Sequence, residues 1–426
     1  MTKRDKLQLT ARELYFNRSL ARCSLVLCTG FGKSKTVIDI LGNYPGIENM
    51  RIMVLVHDRT LRDKSWIVEF KKHDKYGLKD RLELHTYQLA YKFKSKFKDL
   101  SNYIVICDEV DFAANTDEYS KFFTDYPEVP IIGLTGYVTP KKKEWFDDNL
   151  PIIMEYSIAQ AISDGVLNPM HFIFVKYRLG TDKNVKVEYK KNGEMKYFMT
   201  SENAHYDYLE SEFMKAAITR SKAESEYQFS CTAANSEGDP VLAKAFKSAQ
   251  YKVNSIAGKR RKLLYSLDSS KEVIDLLLRK MGPNDKAIVF SARNEQSNKL
   301  CTFTYNNSNS KDVNERNYND FINGTINVIG ANAMLTRGTN VPNLSFAIFE
   351  SFNGSDTDAV QKLGRMARLS VDRVAYNFIL LPYYMKEVKD KNGTISYVLS
   401  KTQQFKWAQK MLANTVIESH ELIDLR

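Results

Sequence analysis

Short apolar runs recur through the first part of the chain, each followed by a longer stretch of helical or polar character. Residues 24–28 (S-L-V-L-C), 51–57 (R-I-M-V-L-V-H), 81–85, 103–107 (Y-I-V-I-C) and 130–135 (P-I-I-G-L-T) read as strands. The longer of these runs are continuously apolar, the mark of strands buried on both faces. Between them, 6–20, 35–41, 66–72 and the stretch opened by Thr86-Tyr87-Gln88 carry helical spacing. Such alternation predicts a parallel sheet covered on both sides, and so an α/β fold. The pattern breaks after a strand at 170–177. Residues 181–258 are polar and read as helical or irregular, with 219–239 rich in Ser, Glu and Ala, so an inserted or mobile segment is expected. Alternation then resumes with a helix to 280 and strands at 287–291, 300–305, 326–330, 346–350 and 376–381, a second parallel sheet. A hairpin over 386–400, centred on Lys391-Asn392-Gly393, and a terminal helix complete the chain. The expected division is 1–165, then 166–400 with an insertion at about 181–258, then a C-terminal helix over 401–426.

Composition narrows the class. The chain has 426 residues, room for two or three domains, and is 43% hydrophobic. No run approaches the roughly 18 apolar residues of a membrane span, so no membrane is expected, and positions 1–6 lack a signal-peptide core. Cys23, Cys28, Cys107, Cys231 and Cys301 form no CxxC pair. A scattered, odd set suggests reduced intracellular thiols, in cytoplasm, nucleoid or a phage-infected host, rather than disulfides or a metal cluster. The net charge of +11 favours a polyanionic partner, a broad signal by itself.

Two constellations carry chemistry. Thr29-Gly30-Phe31-Gly32-Lys33-Ser34 stands between an apolar strand and a helical pattern, where backbone N–H groups can cradle phosphates at a helix N-terminus. Lys33 would supply charge to the β- and γ-phosphates and Ser34 a ligand for Mg²⁺. Leu27 occupies the place of the first glycine of the full P-loop pattern, and a glycine-rich turn that binds nothing is the alternative. Asp108-Glu109 follows at the end of another apolar strand, 75 residues after Lys33. In a P-loop fold, an acid there completes Mg²⁺ binding and the next orients the attacking water; a solvated acidic loop is the plainer reading. Far downstream, Gln361, Arg365 and Arg368 are spaced i, i+4, i+7 behind a possible cap at Asp356. That spacing puts a carboxamide and two guanidiniums on one helix face, suited to a transferring γ-phosphate, or to surface carboxylates if the face is only a basic one.

In this order the chain resembles the superfamily 2 helicases and translocases, the DExD/H group. Thr29 to Ser34 resembles motif I, 54–66 motif Ia, Thr86-Tyr87-Gln88 motif Ib, Asp108-Glu109-Val110-Asp111 motif II, 133–136 motif III, 288–291 motif IV, 334–342 motif V and 361–368 motif VI, QxxGRxxR. Residues 156–167 are similar to the segment joining the two domains of UvsW-like phage helicases and of restriction-enzyme helicase subunits. The resemblance implies two RecA-like domains with ATP and Mg²⁺ between them and a nucleic-acid strand across both. By position, Thr29, Gly30, Gly32, Lys33 and Ser34 would bind nucleotide, and Ser34 and Asp108 the metal. Glu109, Gln361, Arg365 and Arg368 would be catalytic, and Thr86, Tyr87 and Thr336 would touch nucleic acid. The UvsW-like pattern favours DNA over RNA.

The departures are specific. Motif III is longer and bulkier than Ser/Thr-Ala-Thr, as Thr135-Gly136-Tyr137-Val138-Thr139-Pro140, and Asn340 replaces the usual Asp of motif V. No adenine-reading glutamine motif stands out upstream, where Arg12 lies near its expected place. The basic stretches 91–98, 141–143 and 259–262 suit either a phosphate-tracking groove or a solvated surface. An RNA helicase, a nucleic-acid-stimulated ATPase that remodels without unwinding, and a P-loop kinase remain as alternatives, the last disfavoured by the second sheet and the distant arginine helix.

Overall fold

The computed structural model describes residues 1–18, 21–57, 66–92, 99–115, 117–167, 170–234, 238–332, 344–351, 375–414 and 420–425. The first part runs α1 (Lys3–Asn17), β1 (Arg22–Leu27), α2 (Lys33–Gly42), β2 (Arg51–Val56), α3 (Trp66–His73), β3 (Leu82–Thr86), α4 (Tyr87–Lys92), β4 (Tyr103–Asp108), α5 (Asp117–Asp125), β5 (Ile131–Thr135), α6 (Pro140–Asn149), β6 (Ile152–Tyr156) and α7 (Ile158–Ser163). Its strands form a parallel sheet in the order β3-β2-β4-β5-β1-β6. Strand alternation splits the core in two. Ile52, Val54 and Val56 face one cluster with Ile38, Leu41 and Phe70. Met53 and Leu55 face the other with Ala90, Phe123 and Phe146. Both faces being apolar explains the continuous runs in the sequence. The edge strand β6 was not anticipated. Tyr156, Ala161, Val166 and Leu167 pack into the same core, so this unit extends past 165.

A second sheet begins at β7 (Met170–Arg178). After it come β8 (Val185–Lys191), β9 (Glu194–Thr200), α8 (Glu202–Ala234), α9 (Pro240–Leu264), α10 (Ser269–Leu278), β10 (Ala287–Phe290), α11 (Asn294–Leu300), β11 (Thr304–Tyr305), α12 (Lys311–Asn323), β12 (Val328–Ala331), β13 (Phe346–Phe349), β14 (Ala375–Lys389), β15 (Ile395–Lys401), the helix Gln403–Asn414 and β16 (His420–Leu425). The order is β11-β12-β10-β13-β14-β7-β16, parallel except for β15, which runs back along β14. The expected hairpin over 386–400 is this β14–β15 pair, with Gly393 at positive φ in its turn.

The helical reading of the insertion holds, as two long helices that run on to Leu264, and the antiparallel β8–β9 hairpin is added to it; two other expectations are corrected. Asn192 and Gly193 both take positive φ, which is what a two-residue hairpin turn requires. The strand expected at 300–305 is mostly helix end and loop, leaving β11 as two residues. The C-terminal stretch is helix followed by a strand, because Ile423 and Leu425 can reach the core beside β7 only if the chain extends along that edge.

Candidate functional site

The site lies where β1 and β4 end. β1 stops at Leu27, and the chain turns through Gly30 (φ 95°) and Gly32 (φ 98°) into α2, whose first residue is Lys33. Both glycines sit in the left-handed region that side chains rarely adopt, so the turn has to be built of glycine. A Cβ on Gly32 would also come within 2.5 Å of Gln8 Nε2. The α2 N-terminus leaves backbone N–H groups unpaired within the helix, and Ser34 belongs to its first turn. Thr29 is buried behind the turn.

The two acids of motif II meet this loop. Lys33 Nζ lies 3.7 Å from Glu109 Oε1. Glu109 has φ 49°, a conformation costing about 1 kcal/mol or more outside glycine. Asp108 is pushed up to about 6, first by burial and then by the neighbouring Glu109 carboxylate, against the pull of Lys33 and a hydrogen bond from Trp66. Trp66 Nε1 donates to Asp108 Oδ2 at 3.0 Å. Asp108 is thus a buried carboxyl beside Glu109 and Lys33, a place where a cation would stabilise its charge. Mg²⁺ fits such a place, because it takes one or two carboxylates and completes its octahedron with phosphate oxygens and water. Among the described residues no group of three or more His, Cys, Asp or Glu could hold a metal by itself. The donors present therefore suit a metal that arrives with a phosphate.

Asp111, the last residue of motif II, is buried and tied to motif III. Thr135 Oγ1 donates to its Oδ1 at 2.9 Å, and Lys142 Nζ to its Oδ2 at 3.0 Å and its carbonyl at 2.8 Å. The bulkier motif III therefore keeps a direct link to the acid strand, and its Gly136 brings the backbone near Lys33: a Cβ there would be 3.6 Å from Nζ. Of the basic stretch 141–143, Lys142 is turned inward as a structural ion pair.

Sequence reasoning missed Gln8. It is 5% exposed, and its Nε2 donates to Phe31 O of the loop at 2.9 Å, while its Oε1 has no partner. The signal was available: Gln8, Ala11 and Tyr15 mark the inward face of α1 at helical spacing. The same helix is tied to the domain-joining segment through Lys3–Asp164, 2.7 Å, and Arg4 Nη2 to Val166 O, 2.7 Å.

Solved structures with this arrangement of elements are numerous. Dbp5 of S. cerevisiae bound to RNA and ADP BeF3 superposes with TM-score 0.56 at 11% identity, over 98% of this chain and 89% of that one. The ATP-dependent Type ISP restriction-modification enzyme LlaBIII bound to DNA gives 0.57 at 13% identity, over 98% of this chain and 31% of that larger one. Mss116p bound to ssRNA and AMP-PNP gives 0.53 at 9%, over 96% and 72%. At these identities the likeness is one of fold. No curated protein matches the sequence. Residues 268–370 match the helicase conserved C-terminal domain family. The fold is therefore that of these helicase structures, and residues 268–370 carry the likeness to the helicase C-terminal domain in sequence as well. The narrower UvsW-like likeness rests on the motif pattern alone.

Within this helicase fold two expected contacts sit elsewhere than foreseen. Tyr87 is 2% exposed, and its hydroxyl donates to the Asp108 carbonyl at 3.0 Å. Thr86 is buried as well, and its Oγ1 accepts from Leu89 N–H in the first turn of α4. Tyr87 thus braces the end of the acid strand, and Thr86 caps the first turn of α4. Thr336, Asn340, Gln361, Arg365 and Arg368, with motifs V and VI and the stretch 93–98, lie outside the described residues.

Proposed function

We propose that this chain is an ATP-dependent nucleic-acid helicase or translocase, with DNA favoured over RNA by its motif pattern, working inside the cell. The observation that carries the reading is the junction of Lys33, Asp108 and Glu109 at a glycine turn and helix N-terminus, at the carboxyl end of a parallel sheet. Open α/β sheets bind ligands at that end. Neighbours of the same fold, solved with RNA and ADP BeF3 or with DNA, support the choice of substrates.

On this reading the α2 N–H groups and Lys33 hold the β- and γ-phosphates, and Ser34 and Asp108 hold Mg²⁺. When bound, the metal neutralises charge on the phosphate oxygens. Glu109 orients the water for in-line attack. Gln361, Arg365 and Arg368, on the second domain, supply charge to the γ-phosphate, so that hydrolysis depends on the two domains meeting. Gln8 braces the loop through Phe31.

ATPase rates of the parent and of Lys33→Ala, each with single-stranded DNA, duplex DNA and RNA at two salt concentrations, test this. The parent should be stimulated by nucleic acid, less at high salt, and the variant should lose at least about 10²-fold in turnover, the scale of removing one preorganised charge or donor. A parent indifferent to every nucleic acid, or a variant as fast as the parent, would overturn the reading.

A further inference from the structure

The inserted segment has an unusual distribution of charge. α9 carries seven Lys or Arg, at 244, 247, 252, 259, 260, 261 and 262, and not one Asp or Glu. Its antiparallel neighbour α8 carries six acids, Glu202, Asp207, Glu210, Glu212, Glu224 and Glu226, against three bases. The two helices are clasped along their length. Arg260 pairs with Glu210 and lies 3.7 Å from the Phe213 ring centroid, Arg220 Nε donates to Gln250 Oε1 at 2.9 Å, and Tyr227 stacks on Phe246.

Arg260 thus faces inward, and the other bases are left outside. Lys244, Lys252, Lys259 and Lys262 are exposed and recur at i, i+8, i+15 and i+18, which places them on one stripe of the helix. Ser248 and Ser255 fall in the same stripe, and Tyr251 beside them is 77% exposed. None of the four lysines has an ion-pair partner among the described residues. A solvated lysine run on a helix usually alternates with acids three or four residues away; here there are none. From Lys244 to Lys262 the stripe spans about 27 Å, the axial rise of roughly eight nucleotides of one strand.

The stripe leads to the β8–β9 hairpin. Lys262 is near enough to Glu188 to help hold that carboxyl below its ordinary range, after the larger effect of Lys186. Register puts Lys186, Glu188 and Lys190 on one hairpin face with Met199, Tyr197 and Met195 opposite them. Met195 and Tyr197 are 66% and 63% exposed, and Lys186 Nζ lies 4.7 Å from the Tyr197 ring centroid. An exposed ring held by a lysine beside a basic stripe is the composition of a surface that binds phosphates and stacks an unpaired base.

We propose that the α8–α9 arm and the β8–β9 hairpin form a second nucleic-acid contact, in which Lys244, Lys252, Lys259 and Lys262 follow a phosphodiester backbone and Tyr197 stacks on an unpaired base. This rests on the nucleic-acid reading above and assigns to the insertion what the helicase motifs do not. Complementarity selects the occupant, since a polyanion as long as the stripe is matched by a nucleic-acid backbone.

The test uses the full chain and a variant with all four lysines changed to Gln, whose fold is checked by circular dichroism and thermal melting. A fluorescent forked DNA and an RNA of equal length are titrated by anisotropy at several salt concentrations. The slope of log affinity against log salt should become shallower by about 3, from four lost contacts at roughly 0.7–0.9 each. Affinity should fall at least about tenfold, with the basal ATPase rate unchanged. Tyr197→Ala should weaken binding roughly tenfold and leave the salt slope alone. A parent that binds while the quadruple variant shows the same affinity and slope overturns the proposal and leaves the helicase reading standing. A parent that binds neither DNA nor RNA overturns both.

Discussion

The two parallel sheets share an architecture and differ at their carboxyl ends. Sheet one ends, at β1 and β4, in glycines at positive φ, a lysine, and two adjacent carboxylates, of which Asp108 is buried. At the corresponding ends of β10 and β13, the described part of sheet two ends in a hydrogen-bonded lattice around a buried acid. Ala292 N–H donates to Ser351 Oγ at 2.9 Å, and the buried Glu350 accepts from Ser270 Oγ and Gln296 Nε2 at 3.3 Å each. Gln404 Nε2 donates to the Glu350 carbonyl. One end gathers charged groups beside a glycine turn; the described part of the other is a hydrogen-bonded brace around Glu350. The sheet therefore does not decide chemistry; the loop residues do.

That contrast makes the second sheet's share of catalysis depend on residues beyond the lattice, and the largest predicted effect lies there. Arg365→Ala or Arg368→Ala should slow single-turnover ATP hydrolysis by about 10³- to 10⁵-fold while nucleotide affinity changes far less, with Lys a poor substitute for the planar guanidinium. Near-normal hydrolysis in both would make sheet one sufficient and break the two-domain account.

A smaller effect sharpens the contrast from the other side. If Asp108 is a buried acid short of a cation, ionising it opposes folding of the empty protein. Its carboxyl titrates higher folded than unfolded, so its contribution to stability falls as pH rises from about 4 to about 6 and stays flat above. Asp108→Asn should therefore raise stability of the nucleotide-free protein at neutral pH by roughly 1–3 kcal/mol, and flatten that stretch of the pH profile. Thermal melts between pH 4 and 8 measure it; a variant less stable than the parent at pH 7 would mean the carboxylate is well compensated in the empty site.

Much of this was legible in the chain because the chemistry is compressed. Glycines that only glycine can replace, a lysine opening a helix, and acids closing an apolar strand leave local signatures. What escaped depends on distant packing. Gln8 looked like one polar residue among many on α1 until the fold brought it against Phe31. Lys142 read as part of a basic run, yet a buried Asp111 turns it inward. Tyr87 and Thr86 looked like surface motif residues and are buried, Tyr87 bracing the acid strand and Thr86 capping α4. The β8–β9 hairpin carried its signal in Asn192-Gly193 and in the alternation of Val185, Val187 and Tyr189 with Lys186, Glu188 and Lys190, a short pattern lost within a long polar stretch. β16 gained its strand character from its neighbour β7 rather than from its own six residues.

The central claim is that Glu109 orients water beside a lysine that holds phosphate, and Glu109→Gln tests it most directly. The carboxamide keeps the side chain's size while removing the charge 3.7 Å from Lys33. ATP affinity and single-turnover hydrolysis should be measured for parent and variant with a DNA strand present. The account predicts ATP binding at least as tight as the parent's and hydrolysis reduced by about 10²-fold or more, with the variant retained on the strand. A Glu109→Gln protein that hydrolyses ATP at the parent's rate would contradict it.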